Sequence, residues 1–372
     1  MRIYNKTYSA AEIPRRMRLF FDRRKQIEES IKAYASGRLT FMMRENPYID
    51  WEEHELKGLT GVSPPKSVDE MTTEERSLVI GDPQVKRGLP EHYVLTETDP
   101  STSDSRGPSW LPMVSRAKSA RSSSNGGANI DGDGLNLTVG AVVSIPTSRD
   151  WRKSGCIGAP VNQEKCGCCY AIATMGVLES MRCLRQVASP TLSPQQVVDC
   201  STPARGYQNF GCDGGWPTRV LHYLRDVGVA AREACYPLVL RQGACKLNLV
   251  KRAPGCTVSS SITDTTIKYK VLNNEKDILY HVAKTGPVVT VMRATDKFLY
   301  YGSGIFDDPE CSRRANDVDH AIAIVGYGKE NGIDYWLIKN SWGKEWGQNG
   351  YGKFKRGTNA CSIGHWGWVI LG

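Results

Sequence analysis

Gln163-Glu-Lys-Cys-Gly-Cys-Cys169-Tyr170-Ala-Ile-Ala decides how this chain is read. A cysteine stands at the head of a strongly apolar run, Cys169 to Leu184, whose composition predicts a buried helix. The first turn of a helix carries free N–H groups and partial positive charge. Both favour a thiolate, which is the reactive form of cysteine, and a neighbouring imidazolium would favour it further. A buried structural cysteine fits the same residues, because free cysteine is among the most buried residue types.

Two later segments bear on that choice. Val318-Asp319-His320-Ala321 opens an apolar strand, and Lys339-Asn340-Ser341-Trp342-Gly343 closes the next one. Between them lie Ala321-Ile-Ala-Ile-Val-Gly-Tyr and Tyr335-Trp-Leu-Ile-Lys, joined through Asn331-Gly332, a strong hairpin signal. If the two strands pair there, positions near 320 and 340 lie side by side. Asn340 could then accept a hydrogen bond from the imidazole of His320 and fix its tautomer. A strand histidine taken alone is more often structural.

Length and composition bound the rest. The 372 residues suit roughly two domains, and 40% apolar content argues against global disorder. The net charge is +9. Residues 1–145 hold 20 basic and 20 acidic residues, so the whole excess falls in 146–372, with 28 basic against 19 acidic. Lys and Arg are scattered singly, which reads as a solvated surface rather than a nucleic-acid site. All twelve cysteines lie between Cys156 and Cys361. That asymmetry predicts a disulfide-stapled domain in an oxidising compartment, preceded by a segment without staples. Cys166-Gly-Cys168-Cys169 is too tight for a zinc pair, and Asp131-Gly-Asp-Gly lacks the spacing and glutamate of a calcium loop, so neither metal nor cofactor is expected. No run approaches the ~20 apolar residues of a membrane span. Met1-Arg2-Ile3-Tyr4-Asn5-Lys6 is no secretory leader, yet the cysteine usage implies one, so a leader is expected to precede this sequence.

These motifs resemble the papain family, which includes the lysosomal cathepsins, most nearly their cathepsin L-like members. The resemblance extends over roughly 141–372: Asp150-Trp151-Arg152, Leu192-Ser-Pro-Gln-Gln-Val-Val-Asp199-Cys200, Gly211-Cys212-Asp213-Gly214-Gly215, Gly286-Pro287-Val288 and Trp342-Gly-Lys-Glu-Trp346-Gly-Gln-Asn-Gly-Tyr351. It implies an α+β fold of two subdomains, a helical one and a β-barrel-like one. It implies a cysteine endopeptidase made as a zymogen. Cys169 would be the nucleophile, His320 its base and then acid, and Asn340 the group orienting His320. Gln163 and the Cys169 N–H would form the oxyanion hole. Gly214 and Gly215 would line the cleft, and Trp342 would roof the His–Asn pair. The pocket for the side chain two residues before the cut would have Trp216, Pro217, Val291, Val318 and Ala321 as walls and Trp366 as floor, so an apolar substrate side chain is expected. By the same resemblance Cys166 pairs with Cys212, Cys200 with Cys245, and Cys311 with Cys361. Pairing among Cys156, Cys183, Cys235 and Cys256 stays open. Departures are Glu164-Lys165 for the usual Gly-Ser, Cys168 for a small residue, and Tyr170 for tryptophan.

The N-terminal part resembles the family's inhibitory propeptide. Residues 10–36 read as a helix with Glu12, Arg16, Phe20, Ile27 and Ile31 recurring on one face. Arg23 and Ile31 stand where asparagines are usual, and Asn46-x-Tyr48-x-Asp50 resembles the next motif, with Arg44 in place of glycine. Residues 1–57 are expected to be the propeptide, crossing the cleft in the reverse direction to substrate and loosened by acid. Residues 58–140 are expected to be a largely low-complexity linker, and 141–372 the peptidase domain. Expected partners are protein and peptide substrates, the propeptide, and cystatin-type inhibitors; the compartment is lysosomal or extracellular. Two rivals stand beside this reading: a catalytically impaired homologue acting as a binding protein, and a metal or redox module on Cys166, Cys168 and Cys169.

Overall fold

The computed structural model describes residues 4, 6–66, 71, 75, 93–98, 141–262 and 266–371; the Asp131–Gly134 segment lies outside them. The fold is α+β. One cluster of buried side chains packs around the helices α3 (Cys169–Leu184), α4 (Pro194–Cys200) and α5 (Pro217–Val227). A second packs on the sheet and extends into the N-terminal segment. The helix expected over 10–36 is α1 (Ile13–Ala35), with Pro14 in its first turn, where the missing N–H costs nothing. After it come β1 (Phe41–Met43) and the short helix α2 (Glu53–Leu56).

Among the described residues the main sheet has nine strands, ordered β1, β9 (Tyr301–Phe306), β12 (Tyr351–Lys355), β11 (Ile333–Lys339), β10 (His320–Glu330), β8 (Val288–Met292), β13 (Gly367–Ile370) and β7 (Tyr269–Leu272), with β4 (Arg149–Asp150) also on β10. Among the described residues it is not a closed barrel, and one edge of β9 pairs with β1 of the N-terminal segment. Gly304 permits that pairing: a Cβ there would lie 2.4 Å from Thr40 O. The Asn331-Gly332 turn is present, with both residues at positive φ, and it sets β10 antiparallel to β11 with Ala323 opposite Lys339. A smaller sheet joins β5 (Val229–Ala231) to β6 (Thr257–Ser259), flanked by α6 (Leu247–Arg252). The helix α7 (Glu275–Lys284) packs on the back of the main sheet, and α8 (Asp296–Leu299) precedes β9.

Five disulfides staple the second half: Cys166–Cys212, Cys200–Cys245, Cys311–Cys361, Cys156–Cys183 and Cys235–Cys256. Cys168 and Cys169 are free thiols.

Among the described residues, the stretch expected to be linker is packed on the rest of the chain in three places: 58–63, Met71 with Glu75, and Tyr93–Thr98. Residues 58–63 lie in the cleft, so the cleft-filling segment runs past 57. Residues Tyr93–Thr98 form β2, which pairs in parallel with β3 (Ala141–Pro146). Tertiary contacts make that strand: Tyr93 Oη donates to Asp277 at 2.5 Å, and Lys276 Nζ sits 3.9 Å from the centre of the Tyr93 ring. Locally its six residues carry no turn signal or neighbouring strand that would mark them out.

Candidate active site

Cys169 is the first residue of α3, where the helix end faces the start of β10. The Ala321 N–H points at its sulfur at 3.4 Å. His320 opens β10 and is fully buried. Its Nε2 lies 2.7 Å from Asn340 Oδ1, and the Ser341 N–H donates to the same oxygen at 2.8 Å. The backbone donor fixes Asn340 Oδ1 as an acceptor, so Nε2 carries the imidazole proton. Nδ1 is left with a free lone pair and no hydrogen-bond partner. Trp342 stacks on the imidazole, with ring centres 4.6 Å apart and planes 28° apart, and so shields the His–Asn bond. The hairpin thus brings His320, Asn340 and Trp342 together. Among the described residues no hydrogen bond joins Cys169 Sγ to His320.

Gln163 is placed from the other side. Its Oε1 accepts from Ser341 Oγ at 2.6 Å, and its Nε2 donates to Cys166 O and to Gly58 O, both at 3.1 Å. Gly58 belongs to the segment that fills the cleft. Trp342 Nε1 donates to Leu59 O at 2.7 Å. The N–H groups of Gly61 and Val62 both reach Asp319 O at 2.9 Å. Gly215 N donates to Gly61 O, Ser63 N donates to Gly215 O, and Val62 pairs with Gly215 in parallel. A substituent on Gly58 would fall 2.3 Å from Lys165 O, and one on Gly61 would fall 1.9 Å from Gly167 O. Only glycine allows the chain this close to the cleft floor.

Of the other expected cleft residues, Gly214 takes φ +114 beside Ser63. Gly215 is pressed on the Tyr170 ring, which a Cβ would approach to 2.6 Å. Val291 pairs with Ala321 at the head of β10 and is buried with it and Val318, and Pro217 is buried at the start of α5. Trp366 packs edge-on against Trp216, with ring centres 5.6 Å apart, and its Nε1 donates to Ala315 O at 3.2 Å. The sequence reading missed Gly58, Leu59, Gly61, Glu75, Thr218 and Ser341. The paired glycines at 58 and 61 were the available signal for a close approach.

The filled cleft sets the ionisation of the pair. Burial pushes the Cys169 thiol up to about 12, against the N–H groups of Ala321 and Tyr170, which act to lower it. Burial pushes His320 down to about 4, and its bond to Asn340 only partly opposes this. Both groups are neutral here at pH 7. The helix end favours a thiolate, but desolvation outweighs it.

The covering segment is held by charge. Arg16 on α1 is buried and pairs with Glu55, and it lies 3.6 Å from Glu12 and 3.5 Å from Glu52. Lys165 Nζ reaches Glu55 Oε1 at 2.8 Å. Arg23, where asparagine is usual, donates to the carbonyls of Tyr48, Ile49 and Trp51. Asn46 Nδ2 donates to Leu299 O at 2.7 Å, and Tyr48 Oη lies 2.8 Å from Trp342 O. Arg44 donates to Glu345 O and Gly347 O. Among the described residues there is no group of three side chains able to hold a metal ion, and no helix is long and apolar enough to cross a membrane.

Residues 145–368 match the papain family of cysteine proteases. The chain is 39% identical over 228 residues to cysteine proteinase 3 of Solanum lycopersicum, covering 61% of each chain. It is 34% identical over 287 residues to a cathepsin L-like proteinase of Phaedon cochleariae, covering 74% of this chain and 81% of the other. The match therefore spans less than two thirds of the tomato relative but most of the beetle one. The structure resembles a digestive procathepsin L2 proteinase from the larval midgut of Tenebrio molitor, with a TM-score of 0.71 and 26% identity over 100% of this chain and 96% of that one. With the match covering well over half of its length, this chain belongs to the papain family of cysteine proteases.

Proposed function

We propose that the chain is a cysteine endopeptidase zymogen that hydrolyses peptide bonds once residues of the N-terminal segment leave the cleft. The observation that carries this reading is the His320–Asn340 pair at 2.7 Å beside a free cysteine at a helix start. Uncovering the cleft rehydrates Cys169 and His320. The thiol then gives its proton to Nδ1 of His320, and a thiolate–imidazolium pair forms. The thiolate attacks the substrate carbonyl carbon. The oxyanion is met by Gln163 Nε2, whose hydrogen bond to Gly58 O is vacated, and by the Cys169 N–H. Imidazolium protonates the leaving amine, and the acyl-enzyme forms. His320 then takes a proton from water as the water oxygen bonds to the acyl carbon; the C–S bond breaks, the carboxylic acid leaves, and the sulfur departs as thiolate beside the imidazolium. Asn340 keeps the imidazole in the tautomer that leaves Nδ1 free.

Residues 1 to at least 75 act as the inhibitory segment on this reading, with 141–372 as the peptidase unit. Proteins and peptides are the substrates, cystatin-type inhibitors fit the open cleft, and the compartment is lysosomal or extracellular, as five disulfides favour. An epoxysuccinyl inhibitor tests the assignment. After incubation at pH 4–5, peptide mapping should find it on Cys169 alone. A processed chain that binds peptides but is never labelled would instead be the impaired, binding homologue.

A further inference from the structure

Glu75 belongs to the N-terminal segment, and its side chain is fully buried in the peptidase unit beside the cleft. Its Oε1 receives two hydrogen bonds: from Trp216 Nε1 at 2.6 Å and from Thr218 Oγ1 at 2.5 Å. Thr218 Oγ1 in turn accepts from Trp368 Nε1 at 2.7 Å. That bond takes up a lone pair of the hydroxyl and commits its proton to point outward, at the carboxylate. Trp216 is held by its backbone N–H on Asn209 Oδ1 at 2.8 Å, and its ring stands edge-on to Trp366 and to Trp368. Trp216 and Thr218 are both fully buried with Glu75 in place, and both are held by residues of the peptidase unit itself, Thr218 by Trp368 and Trp216 by Asn209. Trp216 directly follows Gly215, which pairs with Val62 in the cleft. Nearby Met71 of the same segment packs on the same apolar cluster.

We propose that this pocket, with its Trp216 indole N–H and Thr218 hydroxyl, selects a substrate side chain that is apolar along its stem and carries an acceptor oxygen at its tip, as in glutamine and glutamate, two residues before the scissile bond. When the N-terminal segment leaves, Glu75 leaves with it and two oriented donors face an empty site. An aliphatic side chain would bury them unpaired, which is costly, whereas a carbonyl or carboxylate oxygen restores both bonds. Sites built to hydrogen-bond a substrate group discriminate far better than sites that only fit its shape. The three tryptophans flanking the donors suit the methylene stem. Aspartate and asparagine are one methylene shorter and do not span the same depth. On this proposal apolar walls face the stem, and an indole N–H and a hydroxyl stand at the tip.

The proposal rests on the peptidase reading, so the test counts active sites first. The processed enzyme is titrated with an epoxysuccinyl inhibitor, and kcat/KM is then measured on peptides that differ only in glutamine, glutamate, asparagine or leucine at that position. The better of glutamine and glutamate should exceed leucine by about tenfold, the scale of one to two hydrogen bonds. Trp216→Phe keeps a ring and loses the N–H; Thr218→Val keeps the shape and loses the hydroxyl. Each should bring that ratio to within about twofold of unity, and the Thr218→Val melting temperature confirms that the fold is kept. Leucine equal to or better than both acceptors in the titrated wild type would overturn the proposal. So would a ratio that survives both substitutions. Failure of the peptidase reading has a different signature, no titratable Cys169 and no hydrolysis of any peptide, and it would overturn both.

Discussion

Lys165 Nζ sits 2.8 Å from Glu55 Oε1, so the residue two places after Gln163 is tied to the segment that fills the cleft. Glu55 also takes the buried Arg16. Replacing Glu55 by alanine leaves that guanidinium without its main partner and should weaken docking by ~3 kcal/mol. Lys165 is exposed, so Lys165→Ser should cost under ~1 kcal/mol. The check is the melting temperature of each precursor, with Glu55→Ala well below Lys165→Ser.

The same carboxylate predicts an acid response. Burial would raise the Glu55 pKa, but the hydrogen bonds from Arg16 and Lys165 outweigh it and hold it at about 2, below its ordinary value of 4.5. A depressed pKa contributes stability that is fully present above pH 4.5 and lost as the pH falls toward 2. Docking through Glu55 should therefore hold at pH 5 and weaken between pH 4.5 and 2. Melting of the wild type and of Glu55→Gln against pH checks this. The gap between them should close across that window and stay constant from pH 5 to 7.

Gly61→Ala should break latency without touching the peptidase unit. The new methyl group would overlap Gly167 O, and relieving such a clash typically costs ~1–3 kcal/mol. The precursor carrying it should hydrolyse peptide before any processing, where the wild type does not.

Much of this was legible in the sequence. Asn331-Gly332 announced the hairpin because few other dipeptides accept positive φ at both positions, and the hairpin fixes His320 against Asn340. Cys169 announced a helix start through the apolar run behind it. The anchoring side chains did not show. Glu75 sits in a polar Thr-Thr-Glu-Glu stretch, and nothing local says that its carboxylate is buried on an indole N–H far along the chain. The partner of β9 was hidden for a related reason: it pairs with β1, some 260 residues earlier in the chain. The Cys156–Cys183 and Cys235–Cys256 bridges likewise follow from how the helices pack and not from cysteine spacing.

Asn340→Ala should lower kcat more than it raises KM. His320 would keep its stacking on Trp342 but lose the acceptor that fixes its tautomer, and a loss of about tenfold or more in kcat is expected, part of the 10²–10⁴ that acid–base catalysis supplies. Asn340→Gln, unable to place its oxygen at the same point, should restore little.

The most direct measurement is peptide hydrolysis by one preparation before and after the N-terminal segment is removed, with three chains compared: wild type, Cys169→Ala and Cys168→Ser. The account predicts negligible hydrolysis before removal in all three. After removal it predicts full activity in the wild type, most of it in Cys168→Ser and none in Cys169→Ala. Equal loss in both cysteine variants, or wild-type activity that is the same before and after removal, would contradict it.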